Sequence, residues 1–162
     1  MQYAIHSTLK KIMEDIRIII PEEKYQIIEF NQNELPGIAV VNSNLKDENL
    51  KKIFNWNCSI LIDLNDVTEN GLPAKTELEI VSKFDDFLQE NIKGDLEKPN
   101  ALFFARTTWN STLQIIFKVF DPEQVNNFLN DLIEDKNYPR YFDYRIEEDE
   151  NWEITKWYTD NI

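Results

Sequence analysis

Histidine, cysteine and glycine are almost missing from this chain, and basic residues are heavily outnumbered. Its 162 residues include one histidine, His6, and one cysteine, Cys58. A single histidine cannot build a His-rich metal site, and a single thiol cannot close an internal disulfide. Three glycines leave no phosphate-cradling loop. Seventeen Lys and Arg face thirty Asp and Glu, a net charge of -13. Affinity for bare DNA or RNA comes mainly from cationic side chains that displace counterions, so direct nucleic-acid binding is excluded. Long apolar runs are absent too. Ile18, Ile19 and Ile20 form the longest near the N-terminus, against the roughly 20 residues a membrane span requires. Residues 1–11 carry no apolar stretch of the signal-peptide kind. The expectation is a cytoplasmic protein that makes no membrane contact, which an unprotected lone thiol also suits.

What the chain does have is core-forming material. The hydrophobic share is 42% and the aromatic share 12%, enough for one packed domain and too much for a disordered chain. Leu9, Ile12, Met13 and Ile16 recur at helical spacing, which predicts an N-terminal helix ended by Pro21. Residues 25–30 and 38–41 read as two short strands joined by a turn at Leu35, Pro36 and Gly37, and 45–54 as a short helix burying Leu50, Ile53 and Phe54. The branched run 58–64 reads as a central strand. A helix opens near Pro73, with a stripe of Leu78, Val81, Phe84, Phe87, Leu88 and Ile92, and Gly94 closes it. Residues 101–108 and 112–120 are strands about a tight turn at Trp109, Asn110 and Ser111. Asp121 caps a helix beginning at Pro122, with Val125, Phe128, Leu129, Leu132 and Ile133 on one side. Residues 141–146 form the last strand. This order, β-α-β-β-α-β, predicts an α+β fold: a ferredoxin-like antiparallel sheet with helices on one face. The organisation is one domain over 1–162, with an extension over 1–55 packed on a core at 58–147 and an acidic aromatic tail at 148–162.

Few residues carry chemistry. Residues 66–77 place Asp66, Thr68, Asn70, Gly71 and Glu77 where a calcium loop has its ligands and its glycine. A strand rather than a helix precedes them, and Pro73 sits where paired loops exchange a backbone hydrogen bond. The loop reads as a strand-to-helix turn in which Gly71 supplies a positive φ. Asp63, Asp66 and Glu77 could gather at one strand end for acid–base work, although thirty acidic residues make such clusters common by chance. No serine lies in a nucleophile elbow. Cys58, inside an apolar strand with no basic neighbour, reads as inert core. The strand from Leu113 to Phe120 lacks the basic residue and the glycine with which RNA-recognition sheets receive bases. The reading implies no metal, no cofactor and no catalytic set.

The C-terminal region is distinctive. Six acidic residues and one Arg fall between Asp143 and Glu153, interleaved with Tyr144 and Trp152. Aromatics within a field of one charge suit a protein interface, and the charge would steer a basic partner. The expected partner-binding set is Asp143, Tyr144, Glu147, Glu148, Asp149, Glu150, Trp152 and Trp157. It depends on whether Trp152 and Trp157 pack inward or face a partner.

Ordered segments across the chain resemble the bacterial domain-of-unknown-function family 695. They are Leu35-Pro36-Gly37-Ile38-Ala39-Val40-Val41-Asn42, Ile60-Leu61-Ile62-Asp63-Leu64, and Gly71-Leu72-Pro73 with Glu77. Arg106-Thr107-Thr108 leading to Ile115-Ile116-Phe117, and Phe142-Asp143-Tyr144 leading to Asp149 and Trp152, complete the set. Ser111-Thr112 departs from the usual pattern, where a glycine is commoner. The resemblance implies a ferredoxin-like fold, and no reaction or catalytic residues. At fold level it implies similarity to the acidic bacterial protein that inhibits ribonuclease E.

The expectation is therefore a non-catalytic acidic binding module, of the inhibitor or immunity type, that neutralises a basic partner such as a nuclease or toxin by charge mimicry. The alternatives are a structural subunit or homo-oligomer, and a small hydrolase using Asp63, Asp66 and Glu77.

Overall fold

The computed structural model describes residues 20–162. The N-terminal helix expected around Leu9, Ile12, Met13 and Ile16 lies outside the described residues, as does His6.

The fold is α+β, with one six-stranded antiparallel sheet and four α-helices among the described residues. Strands β1 (Tyr25–Gln32) and β2 (Leu35–Asn42) form a hairpin, followed by the short helix α1 (Glu48–Ile53) and strand β3 (Trp56–Asp63). Helix α2 (Lys75–Lys93) leads to the hairpin of β4 (Ala101–Trp109) and β5 (Thr112–Val119). Helix α3 (Pro122–Glu134), strand β6 (Phe142–Glu148), a 3₁₀ turn (Glu153–Thr155) and α4 (Lys156–Asp160) complete the chain. The strands lie in the order β1-β2-β4-β5-β3-β6. Two expectations need correction. Within the expected extension, the β1–β2 hairpin does not pack upon a finished sheet; β2 pairs with β4, so the hairpin extends the sheet sideways. Nor are the helices confined to one face.

The first face carries α2 and α3. Cys58, Ile60 and Ile62 of β3 alternate inward with Leu113, Ile115, Phe117 and Val119 of β5 against Val81, Phe84, Leu88, Ile92, Val125 and Leu129 of the helices. On the second face, α1 and the C-terminal segment bury Leu50, Ile53, Phe54, Trp152 and Tyr158 against Ala39, Val41, Phe104 and Ile116. Leu78 and Phe87, expected in the α2 stripe, are 52% and 38% exposed, and Glu77 and Asp85 are buried in their place.

The β1–β2 turn is Asn33-Glu34, both at positive φ, rather than Leu35-Pro36-Gly37, which lies within β2. A right-handed twist across two strands favours such a two-residue turn with positive φ at both positions. Pairing of β2 with β4 begins at Gly37, one residue after Pro36, so the proline occupies no position in that ladder. Gly37 serves a different need: a Cβ there would lie 2.1 Å from Phe30 Cζ, because the Phe30 ring lies across the glycine. Gly71 does adopt positive φ, and its carbonyl accepts a 2.8 Å bond from Ser111 N, seating the loop upon the β4–β5 turn.

Candidate functional site: a groove on the open half of the sheet

The second face is only partly covered. Alternation along each strand sends Asn57, Ser59 and Leu61 of β3, Thr107 and Trp109 of β4, Thr112 and Gln114 of β5, and Asp143, Arg145 and Glu147 of β6 to that side. Where α1 and the C-terminal segment stop, these residues floor an open groove of about 790 Å³. Register aligns Thr107, Gln114, Leu61 and Asp143 in one row across four strands. Gln114 Nε2 donates to Ser59 Oγ at 2.7 Å, so the floor is built of uncharged hydrogen-bonding groups around a half-exposed Leu61.

One wall is aromatic. Phe30 and Trp157 meet edge to face with centroids 5.3 Å apart, and Trp157 meets Tyr158 at 5.1 Å. Tyr158 OH and Thr107 Oγ1 share a 2.8 Å hydrogen bond, which anchors the wall above β4. Burial raises the Tyr158 phenol above its ordinary acidity range. The opposite wall is the edge strand β6, with Asp143 exposed, Arg145 largely exposed and Glu147 half-buried.

Beneath the groove lies a buried cation. Lys118, on β5, is fully buried; its Nζ donates to Asn57 Oδ1 at 2.8 Å and to Asp149 Oδ2 at 3.3 Å. The ammonium sits 5.0 Å from the Phe104 ring centre and 5.3 Å from that of Trp152. Desolvation pulls its pKa down to about 8, against the opposing pull of Asp149. Asp149 in turn accepts from Glu153 N at 2.9 Å and Ile154 N at 3.2 Å, so one carboxylate ties the C-terminal segment to the sheet. Lysine in an otherwise alternating strand was visible in the sequence, but its partners, 61 and 31 residues away, were not.

The expected partner-binding residues divide accordingly. Trp152 is 5% exposed and donates Nε1–H to Phe54 O at 2.8 Å, and Asp149 is buried, so both hold the fold together. Trp157, 45% exposed, lines the groove with Asp143, Tyr144 and Glu147. Tyr144 donates to Asn126 Oδ1 at 2.7 Å, turning its hydroxyl toward α3. Glu148 and Glu150 are exposed outside the groove. Sequence reasoning missed Ser59, Thr107, Trp109 and Gln114, whose only signal was a polar phase on strands otherwise read as core.

Nor are the three carboxylates Asp63, Asp66 and Glu77 equivalent. Glu77 is buried; Arg140 Nε donates to Glu77 Oε2 at 2.9 Å and Arg140 Nη2 to Oε1 at 2.6 Å. The guanidinium, with a further bond from Asn65 N, lowers the Glu77 pKa to about 2. Asp63 and Asp66 are exposed. Cys58 is fully buried, and burial alone pushes its thiol up to about 12. Among the described residues no group of three or more His, Cys, Asp or Glu is placed to hold a metal ion, and no helix is long and apolar enough to cross a membrane.

No curated protein and no solved structure matches the chain. A family does: residues 23–160, spanning the whole sheet, the groove and the aromatic wall, match the family of unknown function DUF695, and the chain belongs to it.

Proposed function

We propose that this chain is a non-catalytic binding protein that engages a basic protein partner through the groove on the open half of its sheet. The observation that carries this reading is the groove: an uncharged hydrogen-bonding floor between a braced aromatic wall and an acidic edge strand. Such a surface combines orienting polar groups with an aromatic anchor, as protein interfaces do. The net charge of -13 supplies long-range attraction for a cationic partner. The largest displacements, at Glu77, Cys58, Lys118 and Tyr25, fall outside the groove, and the shifted groups that line it are the phenols of Tyr144 and Tyr158, raised by burial, which favours binding over acid–base chemistry there. The inhibitor or immunity-type version follows from the same charge: an acidic module can cover the cationic cleft of a nuclease or toxin. We also read β3 to β6 as a ferredoxin-like unit widened by the β1–β2 hairpin, which the order β4-β5-β3-β6 supports. A cytoplasmic setting suits the single buried thiol.

The test is affinity capture at low and high salt with three baits: the wild-type chain, the pair Asp143→Lys with Glu147→Lys, and a control of equal charge change on the far face, Glu79→Lys with Glu90→Lys. The expected result is one basic protein held at low salt by wild type and control, released at high salt, and missing from the groove variant. Equal capture by all three baits would overturn the reading.

A further inference from the structure

We infer that the groove takes an extended segment lying across the strands, with two basic side chains about four residues apart and an arginine at the Trp157 end. This rests on the groove being the recognition surface and adds its ligand class. The aromatic wall stands over β4, where Tyr158 OH meets Thr107 Oγ1. Asp143 ends the same row on β6, three strands away through Gln114 and Leu61. Three strand spacings span about 14 Å, and an extended chain advances about 3.4 Å per residue, so roughly four residues connect the two ends.

Each end selects a cation. The Trp157 ring is 45% exposed yet braced by Phe30 and Tyr158, and Phe30 is seated over Gly37, so the platform is preformed. A planar guanidinium stacks on such a ring better than a compact, strongly hydrated ammonium does. At the other end Asp143 Oδ1 accepts only its neighbour's Tyr144 N, at 2.9 Å, and the exposed carboxylate faces the groove. Arg145 does not occupy it; its guanidinium lies 3.8 Å from Glu147. Between the ends the floor asks for peptide rather than charge. Asn57, 1% exposed, spends Oδ1 on Lys118 and holds the far end of the floor together rather than offering a donor. Ser59 Oγ accepts from Gln114, which leaves its O–H to donate. That donor suits a carbonyl of an extended backbone crossing beside it.

The experiment uses fluorescein-labelled synthetic nonapeptides of Gly and Ser carrying two Arg at i and i+4, two Arg at i and i+1, or two Lys at i and i+4. Anisotropy is read against the full chain and against Trp157→Leu and Asp143→Asn, each shown by thermal unfolding to be folded. The expected affinity of the i, i+4 arginine peptide is about tenfold above both others. Trp157→Leu removes about fivefold for arginine and less for lysine. Asp143→Asn weakens binding and flattens its salt dependence. Equal affinity for all three peptides overturns the spacing and the arginine preference; if that binding still falls with Asp143→Asn, the groove remains the binding surface. Binding that neither variant changes, or no binding of any peptide, overturns both.

Discussion

The two faces of the sheet are made by the same strands and put to opposite uses. Along β3, Cys58, Ile60 and Ile62 disappear under α2 and α3, while Asn57, Ser59 and Leu61 face the other way. The first face is closed by α2 and α3 over β3 to β6, while Ile27 and Ile38 of the hairpin stay exposed on that side. The second is closed only where α1 and the C-terminal segment reach, and there it accepts a buried lysine, an asparagine and an aspartate among aromatic rings. The difference shows what a strand's polar phase means. Polar residues alternating with a deep core need not be solvent-facing filler; some are buried anchors and others floor a groove. Trp152 and Trp157, five residues apart, fall on either side of that divide.

The largest expected effect is on Trp152. Trp152→Ala removes a buried ring, its hydrogen bond to Phe54 O and part of the Lys118 cage, and should cost about 3–5 kcal/mol in urea unfolding. A cost below about 1 kcal/mol would place the C-terminal segment outside the cooperative fold.

The faces should also carry pH signatures of the same sign in separate windows. On the helix side, Glu77 is held near pKa 2, below its unfolded value of 4.5. Its stabilisation is present above 4.5 and lost as pH falls toward 2, up to about 3 kcal/mol by linkage. The difference in stability between wild type and Glu77→Gln should shrink across that window. On the open side, the Lys118 pKa falls from 10.5 unfolded to about 8 folded. The unfolded chain therefore holds more protons between those values, and the lysine's contribution rises with pH from 8 to 10.5. Cys58 opposes it above pH 9, since its thiol ionises only on unfolding until about 12. Comparing wild type with Lys118→Met isolates the rising component; a flat difference curve from pH 8 to 10.5 would refute it.

A smaller effect belongs to Gly37. Gly37→Ala drives a methyl into the Phe30 ring, and displacing that ring should cost about 1–3 kcal/mol as overpacking. Phe30→Ala in the same chain should relieve the clash, giving a strongly non-additive double-mutant cycle. The smallest stability effect is at Trp157, where replacement by Ala should cost less than about 1 kcal/mol because nearly half of the ring is already in water. The two tryptophans thus separate cleanly: truncating Trp152 should cost stability, and truncating Trp157 should act mainly on binding at the groove.

The legible parts were those with local causes. The strand starts at Tyr25, Ala101 and Thr112, the capping of α3 by Asp121 and the inert burial of Cys58 follow from residues adjacent in the chain. The β1–β2 turn was misplaced because Pro36 and Gly37 look like turn residues, although Gly37 is small to receive a ring from the neighbouring strand. The α2 stripe was misassigned at Leu78 because Glu77 reads as polar, and only Arg140, 63 residues away, makes its burial tolerable. The acidic tail read as one surface, yet Asp149 and Trp152 turn inward while Asp143 and Trp157 remain on show.

By itself the sequence determined the periodicities, the charge and the succession of elements, because each depends on residue type and short spacing. Tertiary structure alone decided that the hairpin joins the sheet beside β4, that a lysine is caged by Asn57, Asp149 and two rings, and that half of one face stays open. Those outcomes turn on long-range pairing, and a side chain's burial is set by what the fold brings against it rather than by its neighbours along the chain.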